Sequence, residues 1–338
     1  MTIGLTIILL LVLFLPFLVK PIEQNLEPFL FVMGLLAAVV SGVFHVELLV
    51  QAMKDPIFIT ITVLVAGLLF KWLKNPIENK MLKVSNNMDI RLFLALIIVI
   101  LGLLSSMITA IIAAIVLVSI VSILKLDRKT EIQTVILACF SIGLGAVLTP
   151  IGEPLATITT SKLQKDFFYL FQLIGFEVVF AVVAIGWIAF FTLKPQKNKN
   201  SLEGNNEAES YMEILIRSFK IYLFVMGLTL LGAGYEPLVN GYLLDLQPGV
   251  LYWINMISAV LDNATLAAAE ISPVMSTETI RFLLLGLIIS GGMLIPGNIP
   301  NIISANKLGI TSREWARFGV PFGLMVMVLF FVYLVVIG

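Results

Sequence analysis

One cysteine and one histidine in 338 residues leave little room for several kinds of chemistry. Cys139, set in an apolar run, excludes a disulfide framework and a cysteine metal site, and His45 alone excludes a multi-histidine centre. His45 stands at the end of an apolar run and reads as interfacial. No G-x-x-x-x-G-K-[ST] occurs, so ATP-driven pumping would need another subunit and the energy source expected is an ion gradient. Ser/His, Cys/His and multi-histidine constellations for hydrolysis are missing too, so the chain reads as a non-enzyme without a cofactor beyond a transported ion. Charge is scarce: Asp, Glu, Lys and Arg make up 12% of the chain and balance to a net charge of zero, which gives no footprint for nucleic acid.

What is abundant is apolar length. The chain is 59% hydrophobic with a mean hydropathy of +1.06, far from the balance of a soluble domain. This composition implies an all-α polytopic protein of the cell inner (cytoplasmic) membrane, with the lipid bilayer as its solvent. A hydrocarbon core of about 30 Å takes about 20 helical residues. On that ruler simple spans fall at 2–19, 28–44, 56–73, 167–193, 212–234 and 314–337. The first has no basic n-region and no A-x-A site after it, so it reads as a retained helix.

Four segments break the ruler. Residues 91–124 form one apolar run that as a single helix would reach about 50 Å. Its only polar island is LLSSMITA (103–110). Lys71, Lys74, Lys80, Lys83 and Arg91 precede it and Lys125, Arg128 and Lys129 follow it, so the positive-inside rule puts both ends in the cytoplasm. That predicts a re-entrant hairpin with Ser105 to Thr109 at its tip. Residues 131–163 form a helix interrupted by TPIGEP. Residues 248–275 have arms of about twelve residues around LDNAT, too short to cross separately, and read as a second hairpin. Residues 278–308 form a helix broken at IPGNIPN.

Hairpin then broken helix thus occurs twice. The breaks align without gaps, Gly145-Ala146-x-Leu148-x-Pro150-x-x-x-Pro154 against Gly291-Gly292-x-Leu294-x-Pro296-x-x-x-Pro300, a repeat of about 146 residues. Loops 194–211 and Lys307 to Arg317 fall on the cytoplasmic side and the acidic Glu236/Asp245 loop outside, so the two copies are inverted, as in secondary transporters. The predicted organisation is scaffold helices in 1–90, a first repeat in 91–193 (hairpin 91–124, broken helix 131–163, helix 167–193), a polar cytoplasmic linker at 194–211, and a second repeat in 212–338 (hairpin 248–275, broken helix 278–308, helix 314–337).

A helix break in lipid leaves backbone groups unpaired unless they line a cavity or hold a ligand. The expected site is therefore Thr149, Gly152, Glu153 and the carbonyls of Ala146 to Leu148 in one break, with Pro296, Gly297, Asn298 and Asn301 in the other. The hairpin tips add Ser105, Ser106 and Thr109 on one side and Asp262, Asn263 and Thr265 on the other. The acids inside the spans are read as Glu153, Asp262, Glu177 and Glu270, with no Lys or Arg away from a segment end to pair them. An intramembrane carboxylate costs at least about 2.5 kcal/mol near the bilayer centre, so a cation or proton is the expected counter-ion of Glu153 and Asp262. Each residue also has a plainer reading. Glu153 and Asp262 fit the caps of the helices that follow them, and the hydroxyls fit bonds to their own helix. Glu270, two turns past the tip, is placed toward an aqueous surface, and Glu177 either snorkels or faces the bundle; both are left outside the ion site.

GLGAVLTPIGEP (143–154), AVLDNATLAAAEI (259–271) and GGMLIPGNIPNII (291–303) resemble the ion-transporter superfamily that includes NhaD-type sodium/proton antiporters, arsenite permeases and sodium-coupled carboxylate or sulfate symporters. Over roughly residues 90 to 338 the likeness is closest to a poorly characterised prokaryotic family, proposed to be cation transporters, within it. The resemblance implies a scaffold domain and a transport domain, a homodimer and an elevator mechanism. It also implies that Glu153 stands in a TPIGD-like ion site and Asp262 with Asn263 in a second-hairpin ion site, both holding sodium. SSMIT and DNAT match only in part the Ser-Asn-Thr tips of the symporters. Sodium or lithium exchange for protons is the expectation, with Glu153 and Asp262 alternating between proton and metal ion, and sodium-coupled symport of a small carboxylate, sulfate or oxyanion is the alternative.

Overall fold

A computed structural model describes the chain except residues 20, 23–24, 58–59, 62–63, 66–67, 69–70, 73–87, 196–209, 243–245, 262 and 338; within helices the side chains of 13, 17, 26, 217, 239–242, 265, 268–269 and 337 are likewise not described. The regular structure of the described residues is helical. They form α1 (Thr2–Leu18), α2 (Leu26–Ser41), α3 (Ile90–Ile108), α4 (Ala110–Leu124), α5 (Arg128–Ala146), α6 (Pro154–Lys162), α7 (Tyr169–Thr192) and α8 (Tyr211–Tyr242). These are followed by α9 (Pro248–Ile254), a 3-10 turn (Asn255–Ala259), α10 (Asn263–Glu270), α11 (Thr277–Gly291), α12 (Ile299–Leu308) and α13 (Ser312–Ile337). Among the described residues four helices, α3, α7, α8 and α13, are long and apolar enough to cross a membrane. Part of the 56–73 span, residues 196–209 of the 194–211 linker and Asp262 lie outside the described residues.

Helix starts follow local chemistry. Asp89 accepts from Arg91 N at 2.8 Å, Asp127 from Thr130 N at 3.1 Å and Ser276 from Thr279 N at 3.1 Å, each supplying an acceptor to a first-turn amide that the helix cannot satisfy. Thr109 ends α3 with φ 74° and starts α4, where its hydroxyl accepts from Ile112 N at 3.4 Å. The chain turns at this single residue, so the bend predicted for 105–109 is sharper than expected and Ser105 and Ser106 belong to α3. At 19 residues α3 is itself of crossing length. α5 is also 19 residues long, so the bend and the first break lie at a similar distance from the starts of their helices.

The middle of the molecule is built on α5 and α11. Every residue from Thr134 to Ala146 and from Phe282 to Gly291 is buried, as expected of helices apolar on all sides. α3, α4, α7, α11, α12 and α13 all pack on α5. The outer helices instead expose Phe176, Phe180, Trp187 and Phe191 on α7 and Leu329, Val332 and Val335 on α13, a surface suited to lipid. α2 and α8 form a separate close pair, with α1 against α2.

In lipid, helices gain little from burying apolar area against one another, so close approach through small residues matters more. A Cβ on Gly145 would collide with the Gly102 carbonyl of α3, and one on Gly102 would collide with Ser141 of α5. Gly145→Val should therefore destabilise the α3–α5 contact by roughly 1–3 kcal/mol or more. The check is thermal melting of the purified protein, which should fall by several degrees; an unchanged midpoint would mean that this contact does not form.

Two expectations are corrected. α8 continues to Tyr242, so Glu236 lies in a helix and not in an outside loop. Lys220 stands well inside that helix and lies 3.8 Å from the buried Glu27 of α2, which also accepts from Asn306 of α12. A basic residue away from a segment end was not expected there. Glu27 precedes the apolar stretch 28–44, so neither it nor Lys220 is marked by the sequence as one of a pair.

Candidate functional site

The bend at Thr109 docks on the first break. Ala110 N donates to Gly152 O at 2.9 Å, and Thr149 donates through its hydroxyl to Ser106 O. Ser105 donates to Gly102 O in its own helix and to Ile142 O of α5 at 2.9 Å, and Ser106 donates back to Leu103 O at 2.8 Å. The structure thus brings Ser105, Ser106, Thr109, Thr149 and Gly152 together, with both serine protons committed to carbonyls.

Proline chemistry shapes the break itself. Pro150 has no N–H, so Ala146 O loses its helical donor, and Pro154 removes the donor for Pro150 O. Thr157 replaces the latter through its hydroxyl at 2.6 Å. The chain makes a turn from Thr149 O to Gly152 N at 3.1 Å, then extends at Glu153 (φ −155°, ψ 160°) before α6. Glu153 is 5% exposed and its side chain does not cap α6, which removes the plainer reading of that residue.

The second break repeats this course. Gly297 N donates to Leu294 O at 3.3 Å, and Asn298 is extended (φ −154°, ψ 147°) before α12, again without a side-chain cap. Asn301 donates to Gly291 O at 2.9 Å and to Leu294 O at 2.8 Å, and Trp315 donates through Nε1 at 3.2 Å to Gly292 O, the carbonyl whose helical donor Pro296 removes. In the first half the corresponding position is Ala156, which offers no such donor. A Cβ on Gly143 would come 2.8 Å from Asn298 Nδ2, and Cys139 Sγ lies 3.6 Å from Pro300 O, so the second break sits against α5 just before the first.

Contacts in the two halves correspond in detail, though not in the gapless register. The conformations pair Gly152 with Gly297 and Glu153 with Asn298, one residue off the alignment that matched the prolines. Gly152 crowds Ala146 O, as Gly297 crowds Gly291 O. Ser105 donates to Ile142 O, and Ser258 donates to Leu287 O at 3.0 Å in the same register. Where Gly145 meets Gly102 O, Ser290 donates to Asn255 O at 2.7 Å. The half-helices are exchanged: α6 packs on α10 of the other half, and α12 packs on α4. Identity matching favoured the prolines because a proline can sit at either of the first two positions of a half-helix.

Among the remaining expected residues, Asn263 is 3% exposed and starts α10, and its amide lies beside Gly291 and Ser258. The side chain of Thr265 and all of Asp262 lie outside the described residues. Glu177 neither snorkels nor stands alone, since Arg281 of α11 pairs with it inside the fold. Glu270 does not approach an aqueous surface: it is 0% exposed, in a cluster with Asn255 that sequence reading left out. Asn255 gave no sequence signal, standing in an apolar arm whose register only packing reveals. Among the described residues no group of three or more His, Cys, Asp or Glu could hold a metal ion.

These observations define an all-helical protein with helices suited to crossing a membrane and two buried, proline-broken segments rich in polar groups. A family model described as "Protein of unknown function (DUF1646)" matches residues 2–337, and the chain belongs to that family. No curated protein matches the chain.

Proposed function

We propose that the chain is a secondary transporter of a small cation, a sodium (or lithium)/proton exchanger of the cytoplasmic membrane that works as a homodimer by elevator-type alternating access. The observation that carries this reading is the exchange of half-helices between two matched halves, each ending its break on an extended, buried Glu153 or Asn298. Broken helices that place backbone carbonyls and a carboxylate inside a bundle are the arrangement by which transporters replace the water shell of an ion. Ala146 O, with its helical donor removed, and Glu153 supply oxygens from one half, and Asp262 with Asn263 supplies the other. Re-entrant hairpins and inverted topology belong to the same proposal, as does the likeness of the quoted motifs to the ion-transporter superfamily.

Reconstitution tests it. In proteoliposomes carrying a lumenal pH dye, sodium added alone should shift lumenal pH. Sodium uptake that requires a carboxylate, sulfate or oxyanion would support symport instead, and no sodium-dependent flux at all would defeat both readings.

Topology gives a separate check. In a Cys139→Ser background, cysteines at Lys129 and at the exposed Val274 mark the starts of α5 and α11, the equivalent helices that lead into the two breaks. Inversion predicts that an impermeant reagent labels them from opposite sides. Labelling from one side would leave the two halves parallel and remove the inverted repeat.

A further inference from the structure

Glu270 ends α10 with both carboxylate oxygens buried and without a hydrogen-bond partner among the described residues. Asn255 stands beside it. Its amide oxygen and nitrogen are likewise 0% exposed and unpartnered, so the two groups adjoin outside hydrogen-bond geometry. α10 packs on α6, α8, α11 and the 3-10 turn. From α6 comes Lys162, whose Nζ lies 3.5 Å from the Ile271 carbonyl at the end of α10, and, at its other end, Glu153. On α11 Arg281 is engaged by Glu177, and on α8 Lys220 is engaged by Glu27; the 3-10 turn contributes no charge. Asp262, before α10, lies outside the described residues.

The fold does not require these side chains. The register that pairs Ser105 with Ser258 also pairs Gly102 with Asn255 and Leu117 with Glu270. The first half therefore builds the same packing from a glycine and a fully buried leucine. A buried carboxylate and amide left open at positions that tolerate apolar residues are costly in a membrane protein, and such groups are retained where they bind something.

We infer that Glu270 and Asn255 form a proton-binding site in the second half, separate from the break residues, and that this site carries the proton exchanged for the cation. An amide suits the task because it offers a donor and an acceptor. When Glu270 is protonated, its O–H donates to Asn255 Oδ1; when the proton leaves, the amide turns and Nδ2 donates to the carboxylate. In both states the carboxyl group keeps one hydrogen bond to the amide, which lowers the cost of loading and releasing the proton at a site with no fixed cationic partner on its carboxylate oxygens. The exchange role rests on the transport reading above, whereas proton binding does not.

Infrared difference spectroscopy of the purified protein tests the binding directly. Wild type should show the carbonyl stretch of a protonated carboxylic acid at low pH and lose it as pH rises. Glu270→Gln, which keeps the shape and an amide partner for Asn255, should lack that band and melt within a few degrees of wild type, and Asn255→Ala should shift it. Identical spectra for wild type and Glu270→Gln, or an acid band that persists at every pH, would overturn the site. In proteoliposomes Glu270→Gln should bind radioactive sodium normally yet lose at least tenfold of the sodium-driven pH change. Equal pH changes in the two proteins would overturn the carrier role. Absence of any pH change in wild type would defeat the exchange reading and with it the carrier role, with the infrared result still deciding the site.

Discussion

Changing Pro150 and Pro154 together to alanine should leave the protein folded and weaken cation binding at least about 30-fold, equivalent to about 2 kcal/mol. The two prolines remove the helical donors of Ala146 O and Pro150 O, and alanine restores both. Each regained hydrogen bond is worth roughly 1 kcal/mol net, so the variant is expected to be at least as stable as wild type. Residues 128–162 can then run on as one helix, which turns Ala146 O along the axis and rotates Glu153 away from its extended position. The matching change, Pro296→Ala with Pro300→Ala, should weaken binding less. Trp315 already donates to Gly292 O, which Pro296 deprives of its helical donor, and Asn301 occupies Gly291 O and Leu294 O, so fewer carbonyls are open in that break. Sodium-induced thermal stabilisation reads the effect, since a ligand at about 100 times its Kd adds about 2.7 kcal/mol. An unchanged sodium shift in both variants would assign the breaks to packing alone.

Glu153→Gln should abolish sodium-driven pH changes and lower sodium affinity by a similar or larger factor. Removing one partner from a buried charge interaction typically costs about 2–5 kcal/mol of binding. Folding should survive, because the side chain does not cap α6 and the change removes a charge from the protein interior. Flux equal to wild type would move the ion site away from the first break.

Much of this architecture is legible in the sequence because membrane solvent makes few structures possible. Apolar length gives α1, α7 and α13, and proline and glycine inside apolar runs give the breaks before α6 and α12, since neither residue passes unnoticed in a segment that must satisfy its backbone internally. The hidden part is lateral. Nothing along the chain says that Arg281 reaches Glu177, that Lys220 reaches Glu27, or that α6 packs on α10, because those pairs lie far apart in sequence and meet only through packing. The meeting of Asn255 with Glu270 was hidden for the same reason: α9 and the 3-10 turn that follows it give no periodicity from which to read a facing residue. The break register slipped because two prolines outweighed one shared glycine in the alignment, while backbone conformation follows the glycine.

The central claim is that the paired breaks hold a small monovalent cation, and equilibrium binding of radioactive sodium to the purified protein tests it most directly. Saturable binding is predicted for wild type, displaced by lithium, retained in Glu270→Gln, and lost in Glu153→Gln and in the Pro150→Ala, Pro154→Ala double variant. No saturable binding by wild type, or equal binding by all four proteins, would contradict it.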